Sequence, residues 1–136
     1  MIQVAAAIIL NDEGRILIAK RKQGKSQGGL WEFPGGKLEE GESPEVCLIR
    51  ELQEEMNINI SPYAYFDTSD HRYGERQIQL IAYLATYVSG EIVLHDHDEY
   101  RWASILELAE FEFAPADIPF VAKLGSNPSS EFFSCN

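Results

Sequence analysis

Apolar residues run almost unbroken from Ile2 to Leu10, stop at Asn11-Asp12-Glu13-Gly14, and resume from Arg15 to Lys20. The pattern predicts two strands joined as a hairpin across a polar turn. Gln23 to Gly29 switches to Gly, Ser, Gln and Lys, which reads as a loop. Leu30-Trp31-Glu32-Phe33 reads as a short aromatic strand ended by a Pro34-Gly35-Gly36 turn. A helical period follows. Ser43 is a good N-cap with Pro44 at the first helical position, and Val46, Ile49, Leu52 and Met56 recur at helical spacing. This predicts a helix to about Met56 with those four residues on the core. Tyr63–Thr68, Gln77–Val88 and Glu91–His95 read as strands, the last two joined through Ser89-Gly90. Ser104 caps a short helix through Leu108, and Ala116–Leu124 forms another before Gly125. Ser126–Asn136 reads as a weakly ordered tail pinned locally by Phe132 and Phe133. The expectation is one domain over residues 1–125, a tail over 126–136, and an α/β (α+β) class built around one strong central helix.

Composition narrows the partners. Hydrophobic residues at 45 % and charged residues at 24 % exclude wholesale disorder. No stretch of 18 apolar residues is present to span a membrane. The Ile2–Leu10 run lacks a basic leader and a small-residue cleavage pattern, so the expectation is a buried strand rather than a signal peptide. Lys plus Arg number 11 against 22 Asp plus Glu, a net charge of -11. Such a surface repels polymeric nucleic acid and anionic lipid. A small anionic ligand stays open, provided cations or a metal gather at one place. Cys47 and Cys135 form no CxxC and no disulfide framework, which predicts a reducing, cytoplasmic setting. A monomer is the default expectation, with a homodimer left open.

The chemistry concentrates in one third of the chain. Between Glu39 and Glu55 stand seven glutamates: Glu39, Glu40, Glu42, Glu45, Glu51, Glu54 and Glu55. A solvated acidic face would account for most of them. Glu51, Glu54 and Glu55, however, lie at i, i+3 and i+4, so they share one helix face near the negative end of the helix dipole. A divalent metal would turn that repulsion into a site, because Mg²⁺ favours carboxylate oxygens together with ligand phosphate. Upstream, Gly35-Gly36 lets the backbone approach a ligand closely, with access to positive φ. Seven of the 11 cations, Arg15, Lys20, Arg21, Lys22, Lys25, Lys37 and Arg50, fall in the first 50 residues. A phosphorylated small molecule suits this arrangement.

Gly36, Glu42, Arg50-Glu51-Leu52, Glu54-Glu55 and Ile58, at their spacings, resemble the Nudix box, a loop–helix–loop signature of hydrolases acting on a nucleoside diphosphate linked to another group. Asn57 stands where that family usually has glycine, and Asn is the next-best residue for a left-handed helix end. Gly29 to Lys37 is similar to the MutT-type nucleoside triphosphate pyrophosphohydrolases, and Ala114-Pro115-Ala116-Asp117-Ile118-Pro119 to their CTP pyrophosphohydrolase branch. The resemblance covers most of residues 2 to 124. It implies an α/β/α sandwich with a mixed, curved sheet, a small-molecule nucleotide substrate, and Mg²⁺ as cofactor with Mn²⁺ able to substitute. It also implies release of nucleoside monophosphate and pyrophosphate by attack at the β-phosphorus.

The same resemblance suggests roles. Glu54, Glu55 and the Gly35 carbonyl are the implied metal ligands, and Glu51 is a ligand or the base that orients water. Arg50 holds a neighbouring glutamate, Glu42 and Gly36 shape the motif, and Asp96 is a late acid near the metal. Arg21 and Lys37 are candidates for the phosphate chain, and Glu32, Phe33 and Asp117 for the rest of the nucleotide. Lys22 and Lys25 read as solvated loop charges, while Trp31 and Tyr83 read as core aromatics. His95 and His97 alternate as zinc ligands on a strand would, yet no third ligand is evident. Asp117 separates the substrate options. An ionised Asp only accepts hydrogen bonds, which suits the exocyclic amine of cytosine or adenine and repels the O6 of guanine. Burial could raise its pKa and reverse that argument. Modified cytosine nucleotides are the first expectation and oxidised purine triphosphates of the 8-oxo-dGTP or 2-hydroxy-dATP type the second. ADP-ribose or a dinucleotide comes third, and a non-catalytic nucleotide-binding module is the alternative of another class. A Ca²⁺-binding helix fails for want of an oxygen-rich DxDxDG loop.

Overall fold

The computed structural model describes residues 1–126. The tail expectation, including Phe132 and Phe133, therefore lies outside the described residues. Seven strands, β1 (Ile2–Leu10), β2 (Ile16–Arg21), β3 (Trp31–Glu32), β4 (Gly35–Lys37), β5 (Asn59–Tyr73), β6 (Arg76–Ser89) and β7 (His97–Ala103), form one mixed sheet. The helices α1 (Pro44–Met56) and α2 (Ile118–Ser126) pack on its opposite faces. The alternation of β1 explains the layering. Ala6, Ile8 and Leu10 point into the core shared with Phe120 and Leu124 of α2, while Ala5, Ala7 and Ile9 point into the core shared with Cys47, Leu48, Leu52 and Met56 of α1. A central strand covered on both faces reads as a continuous apolar run, which is why Ile2–Leu10 carries no polar punctuation.

β1 is parallel to β6 from Ile2↔Ile78 to Leu10↔Thr86. Its other edge is divided. β4 pairs with it at Val4–Ala6, and β2 meets it only at Leu10↔Ile16. The expected hairpin is thus reduced to its closing pair. Beyond that point β2 leaves β1 to lie between β3 and β7, with Ala19 opposite Glu32 and Arg21 opposite His97. The sheet forks, and the fork is where the cavity opens.

Three further expectations are corrected. Gly35-Gly36 is not a turn but a strand, and neither residue has positive φ. Glycine is required there by close approach: a Cβ at Gly35 would overlap the Ala5 carbonyl, and one at Gly36 the Glu51 carboxylate. Glu91–His95 is not a strand; the chain stays irregular until β7 begins at His97, because its backbone N–H groups are spent on α1, with Val93 N donating to Met56 O (3.1 Å) and His95 N to Glu55 O (3.3 Å). On α1 the buried stripe is Cys47, Leu48, Leu52 and Met56, whereas Val46 and Ile49 are 54 % and 45 % exposed. The helix ends themselves agree with the chemistry. Ser43 Oγ accepts from Val46 N at 3.2 Å, and Asn57 closes the helix in the left-handed region at φ 62°.

Candidate active site

A cavity of about 370 Å³ opens at the fork. Gly35 and Gly36 of β4, Glu55 of α1 and Asp96 from the loop before β7 line one end. Phe33, Asp117, Tyr73, Ile78 and Leu80 line the other, with Arg21, Arg76 and Glu32 also on the wall. Each position follows from local structure. α1 starts from its Ser43 cap and carries Glu51 and Glu55 on the side facing β4, the side that the absence of a Cβ at Gly36 leaves open for Glu51. A 3-10 turn at Pro115–Asp117 buries Asp117, whose Oδ1 accepts the Phe33 N–H at 3.2 Å.

Arg50 organises the helix. It grips Glu42 through two bonds, Nε to Oε2 (2.7 Å) and Nη2 to Oε1 (2.9 Å), and donates from Nη1 to Glu51 (3.0 Å) and Glu54 (3.3 Å). Glu42 is thereby a strut for the loop, accepting also from Glu39 N at 2.9 Å. The Arg50 hydrogen bonds, with that backbone bond, hold the Glu42 carboxyl down at about 2. Cys47 sits behind, its thiol directed at the Gly36 and Lys37 carbonyls and pushed up to about 12 by burial and by Glu42.

Electrostatics mark the acidic end. Burial, together with a hydrogen bond and charge repulsion from Glu51 and the fields of Asp96 and Glu32, pushes Glu55 up to about 9. The donor set is all carboxylate and carbonyl oxygen, the chemistry that hard divalent cations take, so the residues fit Mg²⁺. The carboxylates are gathered but not closed: among the described residues no three His, Cys, Asp or Glu side chains form a ready-made metal-binding group.

The structure brings together Glu51, Glu55, Gly35, Gly36, Asp96, Arg21, Glu32, Phe33 and Asp117. It does not bring in two others. Glu54 is 61 % exposed and turned to Arg50, and the Lys37 side chain is exposed away from the cavity. The zinc pairing is not formed, because His95 is exposed while His97 is buried against Glu32. Trp31 is a core residue as expected, edge-on to Phe111 at 4.9 Å, and Tyr83 packs beside the α1 core. Lys25, read as a solvated charge, pairs with Asp96 at the cavity mouth, and Ser26 and Gln27 of the same loop join the wall. Tyr73 and Arg76 were not singled out by the sequence. The signal available was their position flanking Gly74-Glu75 in the β5–β6 hairpin, whose tip leans over the site; Tyr73 Oη accepts the Ala116 N–H at 3.1 Å.

Comparison with known proteins bears on the family and the fold. Residues 1–124 match the NUDIX domain family. The chain is 40 % identical over 121 residues to the CTP pyrophosphohydrolase of Escherichia coli K12, covering 89 % of each. It is 35 % identical to the 8-oxo-dGTP diphosphatase of the same organism, covering 90 % of this chain and 95 % of that one. Among solved structures, that of the E. coli ORF135 protein superposes with a TM-score of 0.83 at 36 % identity, covering 96 % and 93 % of the two chains. The MutT protein of Methanosarcina mazei Go1 gives 0.81 at 27 %, covering 92 % of each. A split mixed sheet between two helices, a carboxylate helix seated on a Gly-Gly strand, and these similarities together place the chain in the Nudix hydrolase family.

Proposed function

We propose that the protein hydrolyses nucleoside triphosphates to nucleoside monophosphate and pyrophosphate, with Mg²⁺ as cofactor and Mn²⁺ able to replace it. The observation that carries this reading is one cavity with a carboxylate cluster at one end and a buried, polar-tipped apolar pocket at the other. Glu51, Glu55 and the Gly35 carbonyl would hold the cation, with Asp96 facing it, and Glu54 would join on release from Arg50. The bound ion would supply charge neutralisation at the phosphates and a more acidic water. Arg21 and Arg76 offer cationic contacts to the phosphate chain, a free carboxylate of the cluster takes the proton from water, and Phe33 walls the base. In the balance, water adds to the β-phosphorus, the bond from that phosphorus to the α-phosphate oxygen breaks, nucleoside monophosphate leaves, and the water oxygen ends in the pyrophosphate.

Modified cytosine nucleotides are the first substrate choice, supported by the similarity to a CTP pyrophosphohydrolase and by Asp117 as an acceptor for an exocyclic amine. One observation favours a second reading. Burial and the nearby Glu32 charge push the Asp117 carboxyl well above the usual carboxylate range. A neutral Asp117 donates through its O–H, which suits the O6 of an oxidised guanine. Pyrophosphate release from cytosine, 5-methylcytosine, 8-oxoguanine and 2-hydroxyadenine triphosphates, with and without Mg²⁺, tests the reading. Glu55→Gln should lower turnover by roughly 10² or more at saturating Mg²⁺. Metal-independent release, or near-normal turnover by Glu55→Gln, would overturn it.

A further inference from the structure

We infer that His97 is a positioning residue: with Arg21 it clamps Glu32 as the carboxylate acceptor that the substrate meets where the two ends of the cavity join. The inference rests on the cavity being the substrate site. Glu32 Oε1 accepts from Arg21 Nη1 at 2.7 Å, and its Oε2 lies 2.8 Å from His97 Nε2. The Glu32 side chain is 18 % exposed and that of His97 only 3 %, so the clamp is built from the inside and Glu32 shows its remaining edge to the cavity. Each carboxylate oxygen can accept twice, so one site on each stays free for a ligand donor.

The tautomer follows from burial. His97 Nδ1 is buried and, among the described residues, has no hydrogen-bond partner. A proton there would be an unmet buried donor, so the proton belongs on Nε2, where it is donated to Glu32. A zinc-ligand role would need the opposite, a lone pair aimed at a neighbouring ligand set. The backbone is arranged for the clamp as well. The β2–β7 register runs Lys20↔Glu99 and then shifts to Arg21↔His97, leaving Asp98 as an unpaired bulge residue. The bulge re-aims His97 inward toward Glu32, and Asp98 Oδ2 accepts from Gln23 N at 3.1 Å, which fixes the bulge to the loop after β2.

The position of Glu32 gives the clamp its purpose. It stands on the cavity wall between the carboxylate helix and the Asp117 pocket. Glu32 lines the same wall as Glu55 and Asp117, so the donors that hold its carboxylate decide which ligand group it can meet. His97 is one of the two donors.

The experiment compares wild type, His97→Leu and His97→Gln, each with Glu32 or with Glu32→Ala. Activity is expressed per folded molecule from near-ultraviolet circular dichroism. His97→Leu should lower kcat/KM on the best triphosphate by about 10²-fold. His97→Gln, whose amide N–H can still donate, should recover at least about a tenth of wild-type activity. In the Glu32→Ala background, His97→Leu should change kcat/KM by less than about twofold. A full His97→Leu loss in that background, or unchanged activity per folded molecule beside Glu32, overturns the inference. Long-range ¹H–¹⁵N spectra of the imidazole at pH 7.5 add an arm independent of substrate. An Nε2–H ring that changes on Glu32→Ala supports the clamp, and an Nδ1–H ring overturns it. If wild type releases pyrophosphate from no triphosphate, the function reading fails and this spectrum alone decides the clamp.

Discussion

Gly35 and Gly36 are adjacent, both extended, and should fail in opposite ways when a methyl group is added. At Gly35 the new Cβ meets backbone: it overlaps the Ala5 carbonyl and lies 3.0 Å from Ala6 Cα. β1 cannot retreat, since Ala5 and Ala6 are fully buried and paired along β6. The β4–β1 pairing must therefore open, at a cost of about 3 kcal/mol, which lowers Tm by about 10 °C in a chain of this size. At Gly36 the three atoms nearest the Cβ all belong to the flexible Glu51 side chain. That carboxylate can swing, losing its 3.0 Å bond from Arg50, for about 1 kcal/mol and a few degrees of Tm. The displaced group is a candidate cation ligand, and a shift of about 1 Å there costs roughly 10²-fold in turnover. Gly35→Ala should thus be chiefly a stability variant and Gly36→Ala chiefly an activity variant. Thermal melts beside pyrophosphate release, corrected for folded fraction, separate the two. Gly36→Ala with kcat/KM within twofold of wild type, or Gly35→Ala melting above Gly36→Ala, would refute the reasoning.

Two further outcomes are expected from the charge environments. Glu42 titrates at about 2 in the folded chain, below its ordinary 4.5, so the stability it confers is complete above pH 4.5 and is lost as pH falls through 2. Urea midpoints of wild type and Glu42→Gln should differ most near pH 6 and converge below pH 4.5; a gap independent of pH would count against the Arg50 grip. Asp117 has the opposite sign. Its folded pKa lies above the unfolded one, so the unfolded chain releases its proton first and wild-type stability declines as pH rises above about 4. Asp117→Asn, which keeps an oxygen for the Phe33 N–H, should match wild type at pH 4 and exceed it at pH 7.5. If Asp117 is ionised when substrate binds, the same variant should move the kcat/KM ratio between cytosine and 8-oxoguanine triphosphates toward 8-oxoguanine by about 10-fold to 10³-fold; if it is neutral, wild-type activity on 8-oxoguanine should instead fall as pH rises, and a ranking unchanged by both variant and pH would make Asp117 a helix-end acid only.

The sequence by itself determined what is local. The limits of α1 are set by a Ser43 side chain, a Pro44 ring and an Asn57 that tolerates positive φ, all within one segment. The i, i+3, i+4 spacing places Glu51, Glu54 and Glu55 on a common face before any fold is known. Helical periodicity left one choice open, because Val46 and Ile49 keep step with Leu52 and Met56 as well as Leu48 does. Only the sheet, by lying against Cys47 and Leu48, decided which stripe was buried. The same holds across the site. Glu54 and Glu55 are neighbours in sequence, yet Arg50 draws one to solvent while the fork encloses the other. Glu32 meets His97 across 65 residues and Phe33 meets Asp117 across 84. Those pairings depend on β2 leaving β1 for β7 and on a bulge at Asp98, long-range hydrogen bonding that side-chain periodicity does not encode. The chemistry was therefore legible as a list of residues, and the tertiary structure decided which of them meet.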